Sequence, residues 1–315
     1  MRRAFKTIAL VATSTALLIG TSACQGDPPT LTPASADSAG AAPSDGAAAA
    51  DSEQLTLEVL NTELALGLER FSFLLKDANG NPIRDGNARV RFFRILPQSG
   101  ESVNAADGEA LYFGVGMPNG GSWVAYTEFD ASGPWGLEVE LTRSDGRKGL
   151  ASMEVDVQGK TDTPRVGQAP PAVELPRLTE GGDLGQLTSD PNPLEALYTT
   201  SLIEARDSGR PSVILLASPA HCPTDMCRAS LSALKSLQGT YANRVNFLHF
   251  ETHDLADPTR FSEAYTAWGL PSEPWFFFLD ARGLVASRVE GGLDNTELDL
   301  LIRLALGEQV TKPQP

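Results

Sequence analysis

Cysteine and histidine are scarce in this chain, with three of each among 315 residues. None of the cysteines falls between Leu55 and Val157, so that stretch carries no inter-sheet disulfide, and no cluster of His, Asp or Glu in it has metal-ligand spacing. Basic residues are outnumbered, 25 Lys and Arg against 40 Asp and Glu, for a formal net charge of -15. Such a surface repels phosphate backbones, which argues against nucleic acid as a partner, and no basic block marks a lipid-headgroup patch. Long apolar runs are also missing. The apolar core Ile8 to Gly20 is too short for a membrane span.

What is present begins with an export signal over residues 1–23. Arg2, Arg3 and Lys6 form its positive end, and Ile8 to Gly20 its apolar core. Losing those three positive charges takes the mature chain from -15 to -18. The end of the signal, Thr21-Ser22-Ala23-Cys24, resembles the lipobox of bacterial lipoproteins, in which the cysteine is acylated and becomes the mature N-terminus. Thr21 departs from the Leu usual at that place, and Thr-Ser-Ala also suits ordinary signal peptidase. Lipidation of Cys24 would remove the odd thiol from a set of three. The expected location is therefore extracytoplasmic, as a membrane-anchored lipoprotein of the cell envelope. Gln25 offers no retention signal that would fix which membrane.

Residues 24–53 contain Ala, Ser, Asp, Pro and Gly with almost no large apolar side chain, the composition of a disordered tether. Over residues 54–158 the pattern changes to short alternating runs such as Leu55-Thr56-Leu57-Glu58-Val59 and Ala88-Arg89-Val90-Arg91-Phe92. About seven strands separated by turns such as Asp77-Ala78-Asn79-Gly80-Asn81-Pro82 predict an all-β immunoglobulin-like sandwich with Trp135 in its core. Residues 159–192 form a Pro-rich linker that lies across a domain surface. Residues 193–310 alternate helix and strand: a capping box at Ser201 to Glu204, a buried strand over 211–216, a helix over 223–237, a strand over 245–250, a helix over 259–267, two strands over 275–279 and 284–289, and a closing helix over 296–306.

Two cysteines, Cys222 and Cys227, stand at the junction of the first of those strands and the helix after it. That order, together with Trp268-Gly269-Leu270-Pro271-Ser272-Glu273-Pro274-Trp275 leading into a hydrophobic strand and a glycine-containing hairpin, resembles the thioredoxin fold from about Tyr198 to Leu306. The whole chain is similar to a group of bacterial lipoproteins in which a β-sandwich precedes a thioredoxin-fold domain. The resemblance implies that Pro274 is the cis-proline beside the cysteines and that Glu273 and Trp275 flank a substrate groove, although Trp275 suits the core equally well. It also implies protein thiols or disulfides, or a small oxidant, as reaction partners.

The cysteine pair departs from thioredoxins, which place two residues between the cysteines where this chain has four. On an ideal helix, residues five apart have Cα atoms about 8–9 Å apart, whereas a disulfide needs about 4.4–6.8 Å. Bridging therefore requires a first turn that is not helical, or one that unwinds on oxidation. Cys222, at a strand-to-helix turn with Pro223 suited to the first helical position, is the expected nucleophile, and Cys227 its partner. Asp225 nearby disfavours a thiolate.

Four uses of the pair remain open. The first is thiol–disulfide exchange, with no cofactor. The second is a peroxidase: some atypical peroxiredoxins use the same spacing, but Ser218 stands one residue too far from Cys222 for their threonine and Arg288 is only a loose match for their arginine. The third is copper handling, with two thiolates and His221 or His253; His249, inside a strand pattern, is structural. The fourth is a binding protein with a structural disulfide, although so small a loop gains little from chain entropy.

Overall fold

The computed structural model describes residues 52–114, 117–118 and 120–309. The export signal, Cys24 and nearly all of the tether lie outside the described residues. No helix among the described residues is long and apolar enough to cross a membrane.

The N-terminal unit is all β. Its strands are β1 (Glu53–Gln54), β2 (Thr56–Val59), β3 (Gly67–Lys76), β4 (Pro82–Ile83), β5 (Asn87–Ile95), β6 (Ser102–Phe113), β7 (Ser122–Phe129), β8 (Gly133–Thr142) and β9 (Lys148–Val157). They form one continuous path in the order β1-β9-β8-β5-β6-β7-β3-β2, with β4 paired to β3. The path folds over at β6. Ser102 to Ala110 pairs with β5 on one layer, and Leu111 to Phe113 with β7 on the other.

Between the layers, inward residues of alternating strands meet. Phe71, Phe92, Phe129 and Trp135 form a chain of edge-to-face contacts with ring centroids 5.5, 5.8 and 5.0 Å apart. Trp135 is core, as its sequence context predicts, and its indole N–H donates to the Ala131 carbonyl at 2.9 Å.

The C-terminal unit contains α1 (Leu202–Asp207), β10 (Ser212–Leu216), α2 (Met226–Tyr241), β11 (Asn246–Phe250), α3 (Glu263–Ala267), β12 (Trp275–Leu279), β13 (Val285–Glu290) and α4 (Asn295–Ala305). Its sheet runs β11-β10-β12-β13. The β10–β11 pair is parallel, and β12 and β13 join it antiparallel. Every residue of β10, β11 and β12 is buried because helices cover both faces. Val213, Leu215, Phe276 and Phe278 face the cluster that contains Leu231 and Leu234 of α2 and Leu298 and Leu301 of α4. Ile214, Leu216, Trp275 and Phe277 face the opposite cluster with Leu202, Ala264 and Trp268.

Local signals place several boundaries. The capping box at α1 forms in full, with the Ser201 hydroxyl accepting from Glu204 N and the Glu204 carboxylate accepting from Ser201 N. Two helices start later than the sequence predicts. The α2 helix begins at Met226 rather than Pro223, because Pro223 to Asp225 are taken into the turn that closes the disulfide. The α3 helix begins at Glu263, capped by Ser262, because Phe261 bridges to His253 instead.

The segment 159–192 is applied to the α/β unit. Gly167 and Gln168 exchange backbone hydrogen bonds with Val285, and Leu175 is buried in the cluster under α1.

Between the two units lies a seam of buried charge. The Arg288 guanidinium donates to Glu63 and Glu69 at 2.7 Å each. Arg70 pairs with Glu297, which also accepts from the Tyr126 hydroxyl at 3.0 Å. Glu290 accepts the Thr62 N–H at 2.8 Å and also the Thr62 hydroxyl. Two carboxylates share one arginine in the Arg288 group. Burial pushes Glu69 up to about 7, against the lowering effect of Arg288.

Candidate functional site

Three chain segments meet at one end of the α/β sheet. The loop 217–225 leaves β10, the loop 251–253 leaves β11, and Glu273-Pro274 enters β12. Cys222 and Cys227 are joined as a disulfide with a Cα–Cα distance of 6.1 Å. The separation is within bridging range because residues 222–225 are wound as a turn, which is the non-helical first turn the spacing demanded.

Starting the helix at Met226 moves the cysteines relative to it. Cys227, not Cys222, occupies the first helical turn, where free N–H groups and the helix dipole favour a sulfur anion. Cys222 stands ahead of the helix and is half-buried, whereas Cys227 is 0% exposed. Of the two bonded residues, Cys222 is therefore the one open to solvent. Asp225 is exposed and paired with Arg228 at 2.7 Å, so much of its charge is countered.

Ser218 ties the cysteine loop to its neighbour. Its carbonyl accepts from His221 N and Cys222 N at 3.0 and 2.9 Å, while its side-chain oxygen accepts from Thr252 N and His253 N at 2.9 and 2.8 Å. The hydroxyl is thus spent on holding two loops together rather than facing a sulfur-bound oxidant. Arg288, the other residue matched loosely to peroxiredoxins, is held by Glu63 and Glu69 in the seam.

Glu273 and Pro274 are joined by a cis peptide bond. A carboxylate oxygen of Glu273 and both cysteine sulfurs lie within 4.8 Å of one another. The Glu273 carboxylate also contacts His253 Nε2 at 3.0 Å and accepts the Thr252 hydroxyl.

Trp275 requires a correction. It is 1% exposed, stacked with Phe277 and hydrogen-bonded through its indole N–H to Ser272 at 3.1 Å, so its side chain is core and lines no surface groove. The full burial of β12 on both faces is the cause.

The histidines divide by environment. His249 is buried with Nε2 2.9 Å from the Ala217 carbonyl and Nδ1 2.8 Å from the Tyr198 hydroxyl. The carbonyl can only accept, so Nε2 carries the hydrogen and Nδ1 accepts from Tyr198. Burial pushes the ring's pKa down and keeps it neutral, a structural role. His221 lies with its ring 6.0 Å from that of His253. Both nitrogens of His253 are engaged, Nδ1 with the Pro258 carbonyl at 2.8 Å and Nε2 with Glu273. Neither histidine belongs to the group of two sulfurs and one carboxylate that comes together. Sulfurs bonded to each other are not thiolates, so the oxidised pair offers no metal site.

Two residues of the site escape sequence reasoning. Ser189, from the segment 159–192, donates to Glu251 and accepts the Ala220 N–H at 3.1 Å, two residues before Cys222. Thr252 links Ser218 to Glu273. Small hydroxyl residues in loops carry no pattern of their own, and only the three-dimensional meeting of the loops reveals them.

No family model and no curated protein matches the chain. Among solved structures, it is similar to a thioredoxin-family thiol:disulfide interchange protein from Chlorobium tepidum TLS, with 19% identity over 45% of this chain and 97% of that one, at a TM-score of 0.31. It is also similar to the fibronectin type-III domain of human fibronectin type III domain containing protein 3, with 13% identity over 36% of this chain and 94% of that one, at a TM-score of 0.23. A third likeness is to the soluble domain of PmoD from Methylocystis sp. ATCC 49242, with 16% identity over 33% of this chain and 90% of that one, at a TM-score of 0.19.

Proposed function

We propose that the chain is an exported, lipid-anchored thiol–disulfide oxidoreductase in which an immunoglobulin-like sandwich carries a thioredoxin-fold domain. Cys222 is the sulfur attacked by a partner thiolate and Cys227 the sulfur that leaves. The observation that carries this reading is the asymmetry of the bridge: an accessible Cys222 bonded to a fully buried Cys227 in the first turn of α2. Exchange needs one reachable sulfur and one that leaves with the electron pair, and Cys222 and Cys227 suit these two places. Its partners are protein dithiols or disulfides outside the cytoplasm, and the anchor is Cys24.

The test is thiol trapping of the purified mature chain across a glutathione series. A disulfide that opens and closes reversibly within that series supports the reading. A bridge that resists reduction throughout makes the pair structural. Palmitate labelling of the wild type that is lost in Cys24→Ala tests the anchor.

A further inference from the structure

The neighbours of His253 and Glu273 fix where the hydrogens around their contact lie. His253 Nδ1 lies 2.8 Å from the carbonyl oxygen of Pro258, which only accepts, so Nδ1 carries a hydrogen. Ser218 Oγ already accepts two backbone N–H groups, from Thr252 and His253, so its own hydrogen points to Thr252 Oγ1 at 3.0 Å. The Thr252 hydrogen is then left for Glu273 Oε2, which becomes an acceptor. Only the contact from His253 Nε2 to Glu273 Oε1 remains, at 3.0 Å. With no proton in it, two lone pairs face each other. With one proton it is either imidazolium–carboxylate or imidazole–carboxylic acid. The geometry therefore has a place for one proton beside the disulfide, between His253 Nε2 and Glu273 Oε1, with a Glu273 oxygen within 4.8 Å of both sulfurs.

We propose that Glu273, backed by His253, is the proton donor and acceptor for the sulfur of Cys227. The assignment rests on the exchange chemistry proposed above. Cys227 is 0% exposed, so water does not serve it, and a bare thiolate there is costly despite the helix turn. In the reductive direction, the thiolate of a partner dithiol forms a bond to Cys222 Sγ. The Cys222–Cys227 bond breaks, and Cys227 Sγ leaves with the electron pair and takes the stored proton. The partner's second thiolate then attacks the sulfur already bound to Cys222, closing the partner disulfide and releasing the Cys222 thiolate. The partner loses two electrons and the pair gains them. His253, at 16% side-chain exposure, is the member of the pair that recovers a proton from solvent. Run in reverse, Cys227 returns its proton to the pair before its sulfur attacks.

The test uses the oxidised mature chain, with dithiothreitol as the dithiol and oxidised glutathione for the return. Glu273→Gln keeps the shape of the side chain but cannot give or take the proton, and is expected to slow both directions about 100-fold. Glu273→Ala is expected to be equally slow and to be accelerated by formate but not by chloride at the same ionic strength. This readout does not move if Glu273 only holds the loops in place, and it serves if the Gln variant fails to fold. A Glu273→Gln rate within about twofold of wild type, far short of that general acid–base contribution, overturns the assignment alone. So does a slow Glu273→Ala that formate leaves unchanged. A wild-type disulfide that dithiothreitol does not open in the native protein overturns the exchange reading, and the assignment with it.

Discussion

The guanidinium of Arg70 and the carboxylate of Glu297 are joined by two hydrogen bonds of 2.6 and 2.7 Å across the seam between the β unit and the α/β unit. The arginine is 4% exposed and the glutamate 0%. Buried pairs of this kind contribute little net stability over apolar residues of the same shape, but removing one partner strands the other charge. The seam therefore acts on cooperativity, because separating the two units would have to rehydrate five charged side chains, Glu63, Glu69, Arg70, Arg288 and Glu297, together.

Arg288→Met is expected to cost about 3–5 kcal/mol, because Glu63 and Glu69 would face each other in a buried space without a cation. Urea unfolding measures it. The wild type is expected to unfold in one transition, and the variant at lower urea, with the two units beginning to separate.

Glu69 also sets a pH dependence. Glu69 in the folded protein is pushed up to about 7 from 4.5, with burial as the largest cause. Between these values the folded state binds a proton that the unfolded state releases. This contribution to stability is complete below the unfolded value and is lost as pH rises toward 7, then stays flat above it. The slope approaches about 1.4 kcal/mol per pH unit. Glu69→Gln is expected to remove it. Denaturation midpoints from pH 5 to 8 provide the check, and an unchanged slope in the variant would contradict this account.

Cys227→Ser is expected to leave Cys222 free to form a mixed disulfide that nothing resolves, so a covalent adduct with an added aromatic disulfide accumulates and is visible by mass. Cys222→Ser leaves only the buried sulfur and is expected to form the adduct at least tenfold more slowly, since access governs attack.

Gly269 has φ +60, and a Cβ there would lie 2.7 Å from the Asp162 backbone, at the point where the segment 159–192 crosses the end of α3. Thr163 Oγ1 donates to the Gly269 carbonyl at 2.9 Å in the same place. Gly269→Ala is expected to cost about 1–3 kcal/mol through strain and lost contact. Limited proteolysis is expected to begin cutting within 159–192 in the variant while the wild type resists.

The α/β unit was legible because its signals are local. Trp275 to Leu279 is five large apolar residues in a row, which only a strand covered on both faces can use, and Ser201 with Glu204 announces a helix start. The strand β6 was not legible. Ser102-Val103-Asn104-Ala105-Ala106-Asp107-Gly108-Glu109 lacks an apolar alternation, because its first half is an exposed layer held in place by pairing with β5. The start of α2 was misplaced because Pro223 suits a first helical turn by itself, whereas residues 223–225 form the turn between the two bonded cysteines. The seam was invisible for a related reason. Arg70 reads as a solvent-facing strand residue, and Glu297 as the ordinary acidic residue of a helix's first turn. Each is conventional alone, and their pairing exists only between units. At the candidate site, Cys222, Cys227, Glu273, Pro274, Ser218 and His253 were all named from sequence, whereas Thr252 and Ser189 enter through hydrogen bonds that spacing does not encode.

The seam also has a mechanical meaning. The described residues begin at β1 and β2, and β2 pairs with β3, the strand whose Glu69 and Arg70 enter the seam, while the disulfide stands at one end of the α/β sheet. Buried ion pairs lock one unit to the other, so the two turn together rather than swinging about the segment that joins them. Any molecule that meets the sulfur pair therefore meets it at a fixed bearing to the β unit.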